Sequence, residues 1–203
     1  RIQTAGAYPR TRPADWPAQI PWSLDYEQIL APEQPLVAVV HHDRYSSQRN
    51  DEEADLVAGL VLSLYRAGLS DLDLRDVEEV YSPNDFFTHG VGIVTPHRAQ
   101  QAAVFDRLAQ IMPPEIDRNV IFASIDTVER FQGQEKAVML ASFGLGDADQ
   151  IEVYRDDLLQ AGGEISVVTG SNLLVNAAVI AEFGVDATIY SGGEHYSDAL
   201  LHQ

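Results

Sequence analysis

The chain has 203 residues, 45% of them hydrophobic and 22% charged, which is enough for one large α/β domain, or a domain with an appendage, built on a real core. Its 31 acidic against 13 basic residues give a net charge of −18, which repels polyanions at long range and argues against a free-standing nucleic-acid binder. The absence of cysteine excludes disulfides and thiolate metal sites, and no signal-peptide pattern or apolar run near the ~18 residues of a membrane span is present, so a cytoplasmic location is expected.

Residues 1–34 read as an irregular arm, because prolines at 9, 13, 17, 21 and 32 forbid long helices. Trp16 and Trp22 are expected to pack this arm onto a neighbouring surface. The chain opens on Arg1 rather than Met, in a Pro-, Arg- and Trp-rich stretch without periodicity, and so reads as the middle of a longer polypeptide. Leu36 to Val40 is a short apolar run, the mark of a strand buried on both faces. A helix follows over Asp51 to Ala67. Asn50 or Asp51 can cap it, Glu52, Glu53 and Asp55 suit its positive end, and Gly68 stops it.

A polar link over Ser70 to His89 leads to a strand at Val91 to Thr95, ended by Pro96. Arg98 to Ile111 is the next helix, closed by Pro113 and Pro114. Further strands are predicted at Asn119 to Ser124 and Ala137 to Phe143, a helix at Glu152 to Gln160, and a strand at Ile165 to Thr169. An apolar helix over Asn172 to Phe183 and a strand over Ala187 to Tyr190 complete the pattern. Strands that are near-continuous apolar runs, alternating with helices, predict an α/β fold with a parallel sheet in three layers.

Four places hold candidate chemistry. Thr95-Pro96-His97-Arg98-Ala99-Gln100 ends a strand and opens a helix, offering unpaired N–H groups, a flat ring and a guanidinium fork for phosphate; the alternative is an ordinary strand–helix turn. In the second, Asp126 to Lys136, Thr127 and the nearby backbone can touch a phosphate. There Gln132 and Gln134 can read a base or orient water, Gly133 permits close backbone approach, and Glu135 can accept from a ribose hydroxyl. A plain excursion between two strands would explain that segment less well, since it crowds polar residues round one glycine just before a buried strand. The third place is two histidine groups, His41-His42-Asp43 and His195, Asp198 and His202, but neither carries a fixed ligand signature and no metal site is expected. Fourth, Gly144-Leu145-Gly146 and Gly170-Ser171-Asn172 each follow a strand and can cradle a phosphate, yet neither completes a known glycine-rich motif; the second is more simply a helix cap.

Val91-Gly-Ile-Val-Thr-Pro-His-Arg-Ala-Gln100, then a helix, then Ile125-Asp-Thr-Val-Glu-Arg-Phe-Gln-Gly-Gln-Glu135 and an apolar strand, resemble motifs IV and V of superfamily 1B helicases, the group of senataxin and the nonsense-decay helicase. The likeness spans about 35–149. It implies the second RecA-like domain of an ATP-driven translocase on single-stranded DNA or RNA. Beyond about residue 150 the likeness fails, and 150–203 reads from its own pattern as a βαβ-like α/β extension able to complete the same sheet. On that likeness Thr127 and Val128 contact the nucleic-acid backbone, and Thr95, Pro96, His97 and Gln100 form the motif IV surface. His97 stands where the family often has tyrosine, so an aromatic plane is kept. Gly133, Gln134 and Glu135 face the nucleotide, and Gln132 supports them in a catalytic role.

The sequence also departs from that family. It contains no Walker A sequence, so ATP and Mg2+ are expected only in a complete protein that supplies the first RecA-like domain as partner. The arginine-rich motif VI should precede Ile165, but Leu159-Gln-Ala-Gly-Gly-Glu164 stands there, and the nearest arginine is Arg155. An arginine finger is worth several powers of ten in phosphoryl transfer. Either Arg155 substitutes, or the finger comes from elsewhere, or the domain is a degenerate scaffold without catalysis. A stand-alone Rossmann-like binder of a small nucleotide, using Gly170-Ser171, is a third reading.

Overall fold

In the computed structural model, the described residues are 4–23, 25–31, 36–41, 46–71, 79–127, 136–144, 165–170 and 187–191. After an irregular arm and a short helix α1 (Tyr26–Ile29), strand β1 (Leu36–His41) leads to α2 (Asp51–Ala67). A two-stranded antiparallel ribbon follows, β2 (Ser70–Asp71) with β3 (Glu79–Val80), then a single turn α3 (Pro83–Asp85) and a π-type turn over Phe86–Gly90. Next come β4 (Val91–Val94), α4 (Arg98–Ile111), α5 (Arg118–Ala123) and β5 (Ile125–Asp126). Strands β6 (Val138–Ser142), β7 (Ile165–Gly170) and β8 (Ala187–Ser191) follow.

Six strands form one sheet in the order β5-β4-β6-β7-β1-β8, with every neighbouring pair parallel. From β1 the chain steps across two strands to β4 and on to β5, then returns through β6 and β7 to β8 on the far side of β1. Parallel crossovers are right-handed, so a sheet wound in both directions carries layers on both faces, which is the expected three-layer α/β plan. Every residue of β4 and β6 is buried, as suits central parallel strands covered on both sides. The adjacent strands β4 and β6 send the chain in opposite directions, to β5 and to β7. Open α/β sheets bind ligands beyond the carboxyl ends of strands at such a point.

Helices α2 and α4 pack on each other, α2 over β6 and β7 and α4 beside β5. Val57, Leu60, Val61 and Leu64 of α2 meet Val104 and Leu108 of α4 and Ile93 and Leu140 of the sheet in one core. Arg107 of α4 bonds Asp55 and reaches Asp51 at 3.2 Å, tying the outer edges of the two helices. The ends of α2 match expectation. The Asn50 side chain accepts from Glu53 N at 2.9 Å, and Gly68 sits at φ 72°, in the left-handed region that a helix stop of this kind requires.

The arm is irregular as expected, but it is firmly seated. Trp16 is buried, its indole N–H donating to Ile20 O at 3.0 Å, and Trp22 is packed partly buried against the core. Arg66 of α2 holds Asp15 at 3.0 Å and lies 5.3 Å over the Trp16 ring. Tyr26 lies against Gly59 of α2 and donates to Pro21 O at 2.8 Å.

One element differs from the sequence expectation. Asn119 to Ser124 is not a strand: residues 118–123 form helix α5, and the strand is the shorter β5, two residues long. Asp117 caps the helix by accepting from Asn119 N at 2.9 Å, and Ser124 closes it by donating to Ile121 O at 2.8 Å. Burial falls on Ile121, Ser124 and Ile125, while Phe122 is 50% exposed, which is helical rather than alternating spacing. The β-branched and aromatic residues of Val120-Ile121-Phe122 suggest a strand, but the cap decides. The predicted helices at 152–160 and 172–183 lie outside the described residues.

Candidate functional site

Thr95, Pro96, His97 and Thr127 leave the sheet at one edge, the carboxyl ends of β4 and β5. Thr95, one residue beyond β4, donates its N–H to Asp126 O at 3.0 Å, so the two strand ends are held side by side. The Thr95 hydroxyl accepts from His97 N at 3.3 Å, folding the Pro96 turn over and delivering the chain into α4. On the neighbouring strand Thr127 N donates to Asp126 Oδ1 at 2.8 Å. Thr95 is fully buried, whereas Pro96, His97 and Thr127 are half-buried and Arg98 is exposed. This edge can therefore present a ring, a guanidinium and a threonine from two adjacent strands to one ligand.

Burial disfavours the charged imidazole and holds His97 below its ordinary pKa of about 6.5. Above about pH 6.5 the ring is neutral in folded and unfolded chains alike; as the pH falls further, the unfolded chain takes up the proton first, so stability is lost. A His97→Gln variant should therefore show a smaller drop in melting temperature between about pH 7.5 and about pH 5.5 than the parent chain. Equal drops in the two proteins would exclude this linkage.

Gln100 turns inward. Its side chain is fully buried, with Oε1 accepting from Asn50 N at 2.7 Å. Its Nε2 donates to Asn50 O at 3.2 Å and to Ser142 Oγ at 3.0 Å. Ser142 Oγ in turn donates to Glu53 at 2.8 Å, and the N–H of Gly144 lies 3.1 Å from each oxygen of the same carboxylate. Glu53 is 0% exposed. A buried carboxylate is tolerated only when compensated. Here a hydroxyl, a backbone N–H and the positive end of α2 do so. The cluster lies where β4 and β6 diverge, at the topological switch of the sheet.

Glu53 was expected only to suit the positive end of α2, and its inward role was missed. A signal was present: Glu53 lies one turn before Val57 on the stripe that continues through Leu60, Val61 and Leu64, and stands three residues after the cap Asn50. Gly144 was considered for a phosphate cradle; its N–H is taken by Glu53 and its φ is 66°.

Lys136, the chain's single lysine, sits at the opposite edge of the sheet, donating to the carbonyls of Phe87 and Thr88 in the π-type turn. Burial lowers its pKa. The polar segment thus leaves the sheet after β5 at the ligand edge and rejoins it at the foot of β6. Val128, Gln132, Gly133, Gln134, Glu135 and Arg155 lie outside the described residues, as do His42, Asp43, His195, Asp198 and His202. Among the described residues, no group of three acidic or histidine side chains is placed to hold a metal ion. Among them, too, no helix is long and apolar enough to cross a membrane.

No curated protein matches the chain. A family model described as an AAA domain, AAA_12, matches residues 25–152 and so covers the whole stretch that carries the motifs above. With its parallel sheet and this match, the chain belongs to the AAA domain (AAA_12) family, a P-loop NTPase-like, RecA-like domain found in superfamily 1 helicase-like proteins of the senataxin and nonsense-decay-helicase type.

Proposed function

We propose that the chain is the second RecA-like motor lobe of an ATP-dependent superfamily 1 helicase or translocase, with motif IV over 91–100 and motif V over 125–135. The observation that carries this reading is the pairing of Thr95 with Asp126, which sets the Thr95-Pro96-His97 turn beside Thr127 at the ligand edge of two adjacent parallel strands. His97 and Thr127, both half-buried, contact the backbone of single-stranded DNA or RNA together with Pro96 and Val128. Thr95 and Gln100 are buried and serve by holding that turn in place.

Gln132, Gly133, Gln134 and Glu135 face the nucleotide in this reading, and Arg155 takes the place of the missing finger. ATP and Mg2+ belong to the complete protein. The Ser142 hydroxyl and Gly144 N–H, donors suited to a phosphate at this edge, are engaged by Glu53, so the described residues by themselves do not fit a triphosphate. The first RecA-like domain supplies the rest.

A second reading, a non-catalytic RecA-like scaffold, is favoured by the lack of arginine over 159–164 and by the charge of −18. It predicts no nucleotide-stimulated activity even with a partner lobe restored. Thr127→Ala combined with Glu135→Ala, made in the longer protein, separates the two. The motor reading expects loss of about tenfold or more in strand-stimulated ATP hydrolysis and weaker, salt-dependent strand binding. If both stay at parental levels, the segment has no such role.

A further inference from the structure

The buried cluster of Asn50, Glu53, Gln100, Ser142 and Gly144 joins three elements that are far apart in sequence. Asn50 caps α2, Gln100 lies in the first turn of α4 just past the Thr95-Pro96-His97 turn, and Ser142 ends β6, with Gly144 two residues beyond it. In an ordinary capping box the glutamate three residues into the helix would bond the cap residue's own N–H. Here Gln100 Oε1 accepts from that N–H at 2.7 Å, and the glutamate reaches across to Ser142 and Gly144. The local partner has been exchanged for two distant ones. A helix cap alone does not need this arrangement, since Asn50 already satisfies Glu53 N.

We propose that Glu53 and Gln100 are positioning residues that couple the turn after β4 to the chain leaving β6 across the switch point of the sheet. Any shift of the turn that carries His97 moves α4 and Gln100, and through Ser142 and Glu53 moves the Gly144 N–H. The connection is rigid because the four polar side chains are buried and all four are hydrogen-bonded within the cluster. Ligand contact on the β4 side is thereby reported to the β6 side without either ligand touching the cluster. The proposal rests on the motor-lobe reading, in which a nucleic-acid strand meets the first side and the chain leaving the second side leads on to Arg155, the residue placed there as the finger.

The test uses the longer protein that carries this lobe, with Glu53→Gln and Ser142→Ala. Glutamine keeps the oxygen that accepts from Ser142 but puts an N–H2 against the Gly144 N–H, and alanine removes the hydroxyl that links the two halves. The readout is the ratio of ATP hydrolysis with saturating single strands to hydrolysis without them, a quantity independent of how much protein is folded. Strand affinity and melting temperature are measured alongside. The expected result is a ratio reduced about tenfold, since small misplacements of reacting groups carry penalties of this size. Strand affinity should stay within about threefold, because the cluster touches no strand. Should Glu53→Gln fail to fold, Ser142→Ala carries the comparison. Parental ratios in the folded variants would overturn the positioning role alone. A parent protein with no strand stimulation would remove the motor reading and this proposal together.

Discussion

Gly144→Ala should lower the folding stability of the chain by about 2–4 kcal/mol. Gly144 sits at φ 66°, where an L-residue costs about 1–2 kcal/mol. An added methyl would also lie 3.0 Å from Gln100 Oε1 and 3.1 Å from its Cβ and Cδ. Gln100 has no freedom to retreat, because both ends of its amide are bonded to Asn50 and Ser142. Moving it would strand buried polar groups, each worth roughly 1–3 kcal/mol. Gly68→Ala is the natural control: its φ is 72°, but its nearest neighbour, Ala5 Cβ, is at an ordinary 3.4 Å. That variant should lose only about 1 kcal/mol. Denaturant titration of both decides the matter, since equal losses would mean that Gln100 yields freely and the cluster is not rigid.

Gly59→Ala tests the seating of the arm. Alanine in a helix interior is normally favoured over glycine by about 0.5–1 kcal/mol. At this position the new methyl would stand 2.3 Å from the Tyr26 hydroxyl and 2.9 Å from its ring carbon Cζ. Tyr26 is buried and donates its hydroxyl to Pro21 O, so the ring cannot turn to water without losing that bond and its packing. Overpacking of this kind costs about 1–3 kcal/mol and outweighs the propensity gain. The expected outcome is net destabilisation of roughly 1–2 kcal/mol with faster proteolysis of residues before Tyr26. In a Tyr26→Ala background the same change should become neutral or stabilising, and a double-mutant cycle measures that reversal. Additive effects would show that Tyr26 and Gly59 do not meet in solution.

Much of the fold was legible because local chemistry and global burial agree. Asn50 and Gly68 bound α2 at both ends, and the apolar runs of β4 and β6 mark them as central parallel strands. Where the two levels disagree, the sequence misleads. Val120-Ile121-Phe122 has strand composition, yet Asp117 and Ser124 make it a helix with Phe122 half in solvent. Strand order was not legible at all. The neighbours of β1 are β7 and β8, which follow it by more than a hundred residues, and no local pattern encodes a pairing closed over that distance.

The candidate site divides in the same way. Thr95, the last residue of one predicted strand, and His97 and Thr127, just past two of them, are legible as candidates, and the pairing of Thr95 with Asp126 brings them to one edge. Glu53 did not, because a glutamate in the first turn of a helix has an adequate local explanation in the helix dipole. Only the fold shows that β6 ends beside it. The motif IV likeness puts Gln100 on a surface, whereas in the fold it is the hub of a buried network, since a glutamine's polarity says nothing of which way it faces.

As the motor lobe proposed above, this chain is half of a nucleic-acid-driven ATPase. That proposal is met most directly by joining residues 1–203 to a Walker A-bearing first RecA-like lobe of a superfamily 1 helicase and measuring ATP hydrolysis with and without single-stranded DNA and RNA. Hydrolysis that rises on adding strands, and falls again as salt displaces them, is the predicted result. Hydrolysis that is absent, or indifferent to both nucleic acids at low salt, would contradict it.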